Sequence, residues 1–297
     1  MPDSRLNQLS CPRIIRALLG LLLSAALLVG CSVARLGYEQ LPSLGYWWVD
    51  SYLDLNDTQS VALRADLQAL HSWHRSQELP LLARDLAGIQ AQALQNTTPV
   101  QVCQMTDRFK SRLAAVLTQS EPGFARLAIS LKDEQLQHLK QQLDKKAQTW
   151  RDDWLAGSPA EQQARRLERL VERSEGFYGS LSDAQVSLLR SGVQTTPFDT
   201  QAAELEMLRR HQDLLQTLQA LAGSKLALAQ AQERIQALLG RSLQSPNASY
   251  RAHIEQLLQN NCNTFAQLHN STTLAQRQKL IAKLRGYEDD ARTLMVR

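Results

Sequence analysis

Two histidines and a glutamate occupy positions that a helix would bring to one face. His71, His74 and Glu78 are spaced by three and four residues, and residues at these spacings are neighbours on a helix surface. Imidazole nitrogens and a carboxylate oxygen are ligands for transition metals. His74 also continues an apolar stripe, which favours a histidine packed and hydrogen-bonded in the core. We therefore predict no metal and no cofactor, with a metal site at these residues as the alternative.

Three aspartates follow a group of tyrosines and tryptophans. Paired carboxylates near aromatic side chains can bind sugars or perform acid–base catalysis. However, Asp57 falls in the first turn of a predicted helix, where the helix dipole favours a negative charge, and Asp50 and Asp54 share a face that solvent can occupy. The sequence contains no nucleophile elbow, phosphate loop, dinucleotide glycine pattern or zinc-protease helix. We predict no catalytic residues, and an enzyme or metal-binding protein remains a remote alternative.

The thiol of Cys31 is a candidate for acylation. Arginines precede an apolar run over 17–29, and small Gly30 comes directly before the cysteine, which is the layout of a secretory signal. The ending Leu28-Val29-Gly30-Cys31 resembles the lipobox of bacterial lipoproteins, whose cysteine receives a diacylglyceryl group and becomes the first mature residue. The sequence thus predicts a signal peptide over 1–30 and a mature chain over 31–297. The alternative is an uncleaved anchor or an ordinary signal with a chance cysteine.

The lipoprotein resemblance also implies a location. In Gram-negative lipoproteins an aspartate after the acylated cysteine commonly signals retention in the inner membrane, and here that residue is Ser32. The resemblance implies the periplasmic face of the outer membrane. Of 33 Lys+Arg and 29 Asp+Glu, three arginines and one aspartate lie before Cys31, so the mature chain is nearly neutral. This balance argues against a nucleic-acid partner.

Two further cysteines remain in the mature chain, Cys103 and Cys262. An exported chain with two spare cysteines in a disulfide-permitting compartment is expected to join them. The alternative is a pair of buried thiols that act as small hydrophobic residues.

The elements that position these residues are predicted to be helices. Strand signals are scarce, whereas apolar residues recur at spacings of three and four. The fold class we expect is all-α, a multi-helix bundle of amphipathic helices in one domain over 31–297. Pro80 should break one stripe, and Gly223 should break or bend another. The stripes lie over 63–74, 82–93, 102–116, 136–154, 167–178, 183–192, 205–222, 225–240, 246–269 and from Thr273 onward.

An aromatic cluster lies over 38–52, close behind the predicted anchor. Tryptophan and tyrosine are favoured at membrane interfaces, but they also supply buried mass to a core. Because Tyr38, Trp48 and Tyr52 lack the basic flank of an interfacial helix, we expect the cluster to cap the helical core.

Many of the helices begin with a capping box, in which a capping side chain precedes Gln or Glu by three residues. In Leu55-x-x-x-Gln59 and Leu181-x-x-x-Gln185 a leucine precedes the cap, and Leu131-Lys-Asp-Glu-Gln135 is a looser copy. These starts resemble the LTxxQ motif of the small periplasmic chaperones of the Spy and CpxP kind. The resemblance implies a chaperone-like stress protein that holds unfolded chains.

A second resemblance covers nearly all of the mature chain. It rests on the lipobox and on several short segments: Arg35-Leu-Gly-Tyr38, Tyr46-Trp-Trp-Val-Asp50, His71-Ser-Trp-His-Arg75, Thr98-Pro-Val-Gln-Val-Cys103, Leu170-Val-Glu-Arg173, Cys262, Leu268-His-Asn-Ser-Thr-Thr273 and Gly286-Tyr287. Together they resemble a family of proteobacterial lipoproteins known only as a domain of unknown function. The resemblance implies an all-helical, lipid-anchored envelope protein and no particular activity. We therefore expect a binding or structural module whose partner is an envelope protein or component.

Overall fold

Helices make up most of the backbone in the computed structural model, which describes residues 34–195 and 198–296. The predicted signal peptide and Cys31 lie outside these ranges. No strand occurs within them, and the predicted all-α class is confirmed. The α-helices are α1 (Leu41–Leu53), α2 (Asp57–Trp73), α3 (Leu79–Gln92), α4 (Pro99–Ser130), α5 (Asp133–Trp154), α6 (Pro159–Tyr178), α7 (Asp183–Thr195), α8 (Thr200–Leu221), α9 (Leu228–Leu243), α10 (Ala248–Asn270) and α11 (Leu274–Met295).

The capping boxes define several helix starts as predicted. The side chains of Asn56, Thr98, Ser158 and Thr273 each accept the backbone N–H three residues on, and the Gln or Glu there accepts the N–H of the cap. Both groups would otherwise lack intrahelical partners. Pro99 and Pro159 stand at the first helical position, where no donor is missed.

The predicted break at Pro80 is wrong. The chain stays helical from α2 into α3 through a π-helical turn, His74–Glu78. Proline lacks an N–H and its ring collides with the carbonyl four residues earlier. The wider π-turn directly before Pro80 is where the helix departs from α geometry. The two predicted stripes are therefore parts of one long helical rod.

Residues 42–297 form one compact unit, whose described part contains two large apolar cores and a smaller apolar cluster. The first core joins α1, the end of α4, α5, α8 and α9, and its buried members include Leu139, Leu221 and Ile235. The second joins α3, α6, α7, α10 and α11, with Tyr178 and Leu268 among its buried members. Residues 34–41 belong to a separate unit.

The long helix α4 runs from the first core to a smaller apolar cluster. Ala125 and Ala128 near its end lie in the first core, while Val102 near its start packs against Cys262 and Ala266 of α10. The turn after α8 adds a contact, because the N–H of Gly223 donates to the carbonyl of Ile129. Gly223 has φ +63°, a conformation that glycine adopts without steric cost. The break that we predicted at this glycine is confirmed.

Candidate functional site

Cys103 and Cys262 connect α4 to α10. Their sulfur atoms lie 2.07 Å apart and their Cα atoms 5.6 Å apart, so the structure pairs them as a disulfide. Cys262 is buried among Val102 and Ala266. The bond closes a sequence separation of 159 residues and ties the start of α4 to the C-terminal helices.

The three metal-ligand candidates lie at the π-turn. His74 and Glu78 begin and end it, and His71 lies in the last turn of α2. A π-turn has more residues per turn than an α-helix. His71, His74 and Glu78 therefore do not lie in one line along a regular α-helical face, as we had expected. Glu78 is buried, and its Oε2 lies 3.7 Å from the guanidinium of Arg112, which also pairs with Asp85 at 3.3 Å. The carboxylate thus faces a cation of α4.

The histidines of this cluster are near enough to influence each other. Burial lowers the pKa of His74, the charge of Glu78 raises it and His71 lowers it, with a net decrease. His74 is therefore neutral at pH 7. Among residues 34–195 and 198–296, no three His, Cys, Asp or Glu side chains are placed together to hold a metal ion. His71, His74 and Glu78 do not form a three-ligand site.

The aspartates near the aromatic cluster have separate roles. Asp50 Oδ1 accepts the backbone N–H of Leu55 at 3.0 Å, and so helps to end α1. Asp54 has φ +49° in the turn that follows. Asp57 lies in the first turn of α2, where its charge suits the helix dipole. The three aspartates therefore serve the connection between α1 and α2.

Buried glutamines join helix starts in pairs. Gln59 Nε2 donates to Gln135 Oε1 at 3.0 Å, and Gln135 Nε2 donates back to Gln59 Oε1 at 2.8 Å. Gln59 also donates to the carbonyl of Ser130, and Gln135 to that of Leu53. Each glutamine therefore caps its own helix and binds the end of the helix that precedes its partner.

A second glutamine pair repeats this geometry in the other core. Gln185 and Gln276 exchange Nε2–H···Oε1 hydrogen bonds of 2.9 and 3.0 Å. Gln185 donates to the carbonyl of Ser271, and Gln276 to that of Ser180. The L-x-x-x-Q starts are thus tertiary contacts as well as caps, which the spacing along the sequence does not reveal.

We predict that Gln59→Ala destabilises the protein by about 2 to 3 kcal/mol, because it removes a cap and leaves the amide of Gln135 short of a buried partner. Gln101→Ala is a matched control. Gln101 closes the capping box of Thr98 on exposed positions and pairs with no second glutamine. Urea denaturation of both variants measures the difference. Equal losses of about 1 kcal/mol would show that the pairing adds nothing beyond capping.

A buried tyrosine and histidine fix the corner between α10 and α11. The hydroxyl of Tyr178 lies 2.9 Å from His269 Nδ1, and His269 Nε2 lies 2.9 Å from the carbonyl oxygen of Gln95. Because a carbonyl oxygen can only accept, Nε2 carries the proton and Nδ1 accepts from Tyr178. Burial lowers the pKa of His269, a decrease that the Gln95 carbonyl opposes and Arg277 reinforces. Both nitrogens of the neutral His269 ring are hydrogen-bonded, so the residue positions α6, α10 and the segment around Gln95 relative to each other.

Glu206 on α8 is the centre of a charged network. Its side chain is 4% exposed, and it accepts hydrogen bonds from Arg209 at 2.8 and 2.9 Å, from Arg210 at 2.8 Å and from Ser245 at 2.8 Å. Burial acts to raise the pKa of Glu206, but the bonds from Arg209, Ser245 and Arg210 outweigh it and bring the pKa to about 2. The carboxylate is ionised at neutral pH and fully engaged.

The same network extends to α9. Arg241 donates two hydrogen bonds to Asp213 at 2.7 and 2.9 Å, and Arg209 also donates to Asp213 at 3.2 Å. The hydrogen bond from Arg241 is the main cause of the lowered pKa of Asp213. These ion pairs and hydrogen bonds hold α8, α9 and the connection before α10 together.

The outer face of α1 is the clearest candidate for a binding surface. It consists of Leu44, Trp47, Trp48 and Ser51, at helical spacings of three and four. Leu44 is 55% exposed, Trp47 61% and Trp48 65%. The expectation that the aromatic cluster caps the core is wrong for these two tryptophans, because the helix turns them to solvent.

The opposite face of α1 holds the helix in place. Tyr46 is 6% exposed, and its hydroxyl donates to Ser60 at 3.1 Å. Leu53 lies in the first core, and Val49 and Tyr52 pack against it. The core interpretation therefore holds for this half of the cluster, so α1 presents its outer face on a fixed support.

Comparison with known proteins places the chain in a family. The sequence model of a family of unknown function, DUF6279, matches residues 51–251. The chain belongs to this family. The predicted resemblance to a family known only as a domain of unknown function is confirmed. No curated protein and no solved structure matches the chain.

The DUF6279 match covers Cys103 and the Gln59–Gln135 pair, whereas Trp47, Trp48 and Cys262 lie outside it. Within the described residues, no helix is long and apolar enough to cross a membrane.

Proposed function

We propose that this DUF6279 protein is a lipid-anchored helical module of the cell envelope, held on the periplasmic face of the outer membrane, where it binds or supports another envelope component. The observation that carries the proposal is Leu28-Val29-Gly30-Cys31 at the end of a secretory signal. A helical body begins within ten residues of that cysteine, and its first long helix, α1, has an uncharged outer face.

In this proposal the lipid supplies retention and the helices supply recognition. The thiol of Cys31 receives a diacylglyceryl group, and cleavage after Gly30 leaves the cysteine as the first residue. Two acyl chains hold a protein at a membrane far more stably than one chain does. Ser32 in place of aspartate supports transfer to the outer membrane. The Gln59–Gln135 pair holds the end of α1, because Gln135 also donates to the carbonyl of Leu53.

The test is Cys31→Ala, which we expect to abolish palmitate labelling and to leave an unacylated precursor. Cys11→Ala is the matched control, because Cys11 lies within the predicted signal peptide but outside the L-V-G-C segment. The control should still be labelled and should fractionate with the outer membrane. If the Cys31→Ala variant still incorporated palmitate, or still fractionated with the outer membrane, the assignment of Cys31 as the lipid anchor would be wrong.

A second candidate is a chaperone-like protein that holds unfolded chains. The feature that favours it is the resemblance of the helix starts at Leu55-x-x-x-Gln59, Leu131-x-x-x-Gln135 and Leu181-x-x-x-Gln185 to the LTxxQ motif of periplasmic chaperones. Crosslinking in cells separates the two functions. A binding module captures a small, constant set of partners, whereas a chaperone captures many unfolded chains whose number rises with envelope stress.

A further inference from the structure

The outer face of α1 combines exposure, aromatic character and a fixed support. Leu44, Trp47 and Trp48 are each more than half exposed, and the helix behind them is held by Tyr46 and Leu53. Exposed leucine scattered singly is ordinary, but two adjacent exposed tryptophans and a leucine on one helix turn form a contiguous apolar surface.

The outer face of α1 differs from an ordinary solvent-exposed helix face because it carries no charged residue. Its fourth member is Ser51, and α1 has no basic residue in its last turn and no acidic residue in its first. Asp50 is the one charged residue in α1, and its carboxylate accepts the N–H of Leu55 at the end of the helix. The outer face itself is therefore uncharged, which suits an apolar or interfacial environment better than bulk water.

A cation stands at the border of the face. The guanidinium of Arg64, an exposed residue of α2, lies 3.4 Å from the ring centroid of Tyr46 and 5.8 Å from that of Trp47. An arginine beside the exposed indole ring of Trp47 matches a layer in which lipid phosphates lie next to acyl chains. This basic neighbour comes from α2, so the sequence of α1 alone does not show it.

The position of the face along the chain limits its distance from the lipid. An extended chain spans at most about 3.5 Å per residue, so the thirteen residues from Cys31 to Leu44 reach at most about 45 Å. Because α1 begins at Leu41, the actual connection is shorter, and docking of the face on the anchoring membrane is effectively intramolecular.

We propose that the outer face of α1 lies in the headgroup region of the membrane that holds Cys31, with Trp47 and Trp48 inserted among the lipids. Tryptophan is favoured at this depth. The inference rests on the lipid anchor of the proposed function and adds orientation to it: the acyl chains retain the protein, and α1 fixes which side of the helical body faces the periplasm.

The experiment uses the acylated mature protein, reconstituted in phosphatidylcholine vesicles with or without brominated acyl chains. Bromine quenches tryptophans that contact the lipid. We expect brominated vesicles to reduce the tryptophan emission of the wild type, and the double variant Trp47→Tyr/Trp48→Tyr to lose this reduction. The control is Trp150→Tyr/Trp154→Tyr, a pair stacked on one another at 6.5 Å on α5, which should keep it.

The outcomes distinguish the inference from the anchor on which it rests. Protein that sediments with the vesicles but shows no quenching, or quenching that persists in the Trp47→Tyr/Trp48→Tyr variant, overturns the inference and leaves the anchor intact. Protein that stays in the supernatant contradicts the anchor. If a second copy covers the face instead, the tryptophans stay unquenched and sedimentation velocity in detergent shows a dimer, which also overturns the inference.

Discussion

Removal of the disulfide, by Cys103→Ala/Cys262→Ala, is expected to lower the free energy of unfolding by about 4 to 5 kcal/mol. The bond joins residues 159 apart, and in the chain-entropy model a loop this long removes a large amount of freedom from the unfolded chain. For a chain of this size we expect the melting temperature to fall by about 10 °C or more. Loss of the bond should also free the start of α4 from α10.

Urea denaturation of the oxidised and reduced wild-type protein provides the control for this prediction. Both forms keep the two sulfur atoms, so their difference isolates the crosslink from the packing of Cys262 against Val102. Protein purified from outer membranes and alkylated without reductant should show no modification at Cys103 or Cys262. Two alkylated thiols in that sample would contradict the disulfide.

Glu206→Gln is expected to destabilise the protein by about 3 kcal/mol at pH 7, because it removes the buried carboxylate that pairs with Arg210 and leaves Arg209 paired with Asp213 alone. Glutamine has nearly the same shape as glutamate, but it removes the charge, and its amide nitrogen cannot accept the two hydrogen bonds that one carboxylate oxygen of Glu206 accepts. The expected loss is larger than for an exposed ion pair, since Glu206 is almost fully buried and its carboxylate accepts four hydrogen bonds. Glu233→Gln, an exposed change on α9, is the matched control and should stay within about 0.5 kcal/mol.

The pH dependence of the same variant gives an independent check. The folded protein holds the pKa of Glu206 at about 2, below its ordinary value of 4.5, so the folded state binds fewer protons than the unfolded state between these values. The stability due to Glu206 is therefore fully present above pH 4.5 and is lost as the pH falls toward 2. The gap between wild type and Glu206→Gln should narrow over this window. A gap that stays constant from pH 7 to pH 3 would contradict the assignment.

Local signals in the sequence predicted the helices because capping is a short-range interaction. Thr98-Pro-Val-Gln101 and Ser158-Pro-Ala-Glu161 fix helix starts through bonds that span three residues. The apolar stripes predicted that the chain is all-α, and two spare cysteines were enough to predict the pair that the structure joins. Each of these features depends on spacing along the chain or on composition alone.

The predictions that failed involve competition between local and tertiary effects. Pro80 disfavours a regular α-helix, yet a π-turn at His74–Glu78 keeps the rod continuous. Trp47 and Trp48 are large and apolar, but Tyr46 and Leu53 already fill the inner side of α1 and leave them outside. Residue type alone cannot assign the face of a short helix that carries apolar residues all around.

The polar networks could not be predicted, because they depend on which helix starts meet. Gln59 and Gln135 are 76 residues apart and pair only when the α1–α2 and α4–α5 connections come together. Glu206 meets Ser245 across 39 residues. A charged residue within a helical stripe, as Glu206 is within α8, is the only local sign of such a site, and it does not identify the partners.

We propose that the mature protein begins at an acylated Cys31. Mass spectrometry of the N-terminal peptide, released from protein purified from outer membranes, tests it most directly. We predict a peptide that starts at Cys31 and carries the added mass of a diacylglyceryl group. A peptide that starts upstream of Cys31, or an unmodified Cys31 thiol, would contradict the claim.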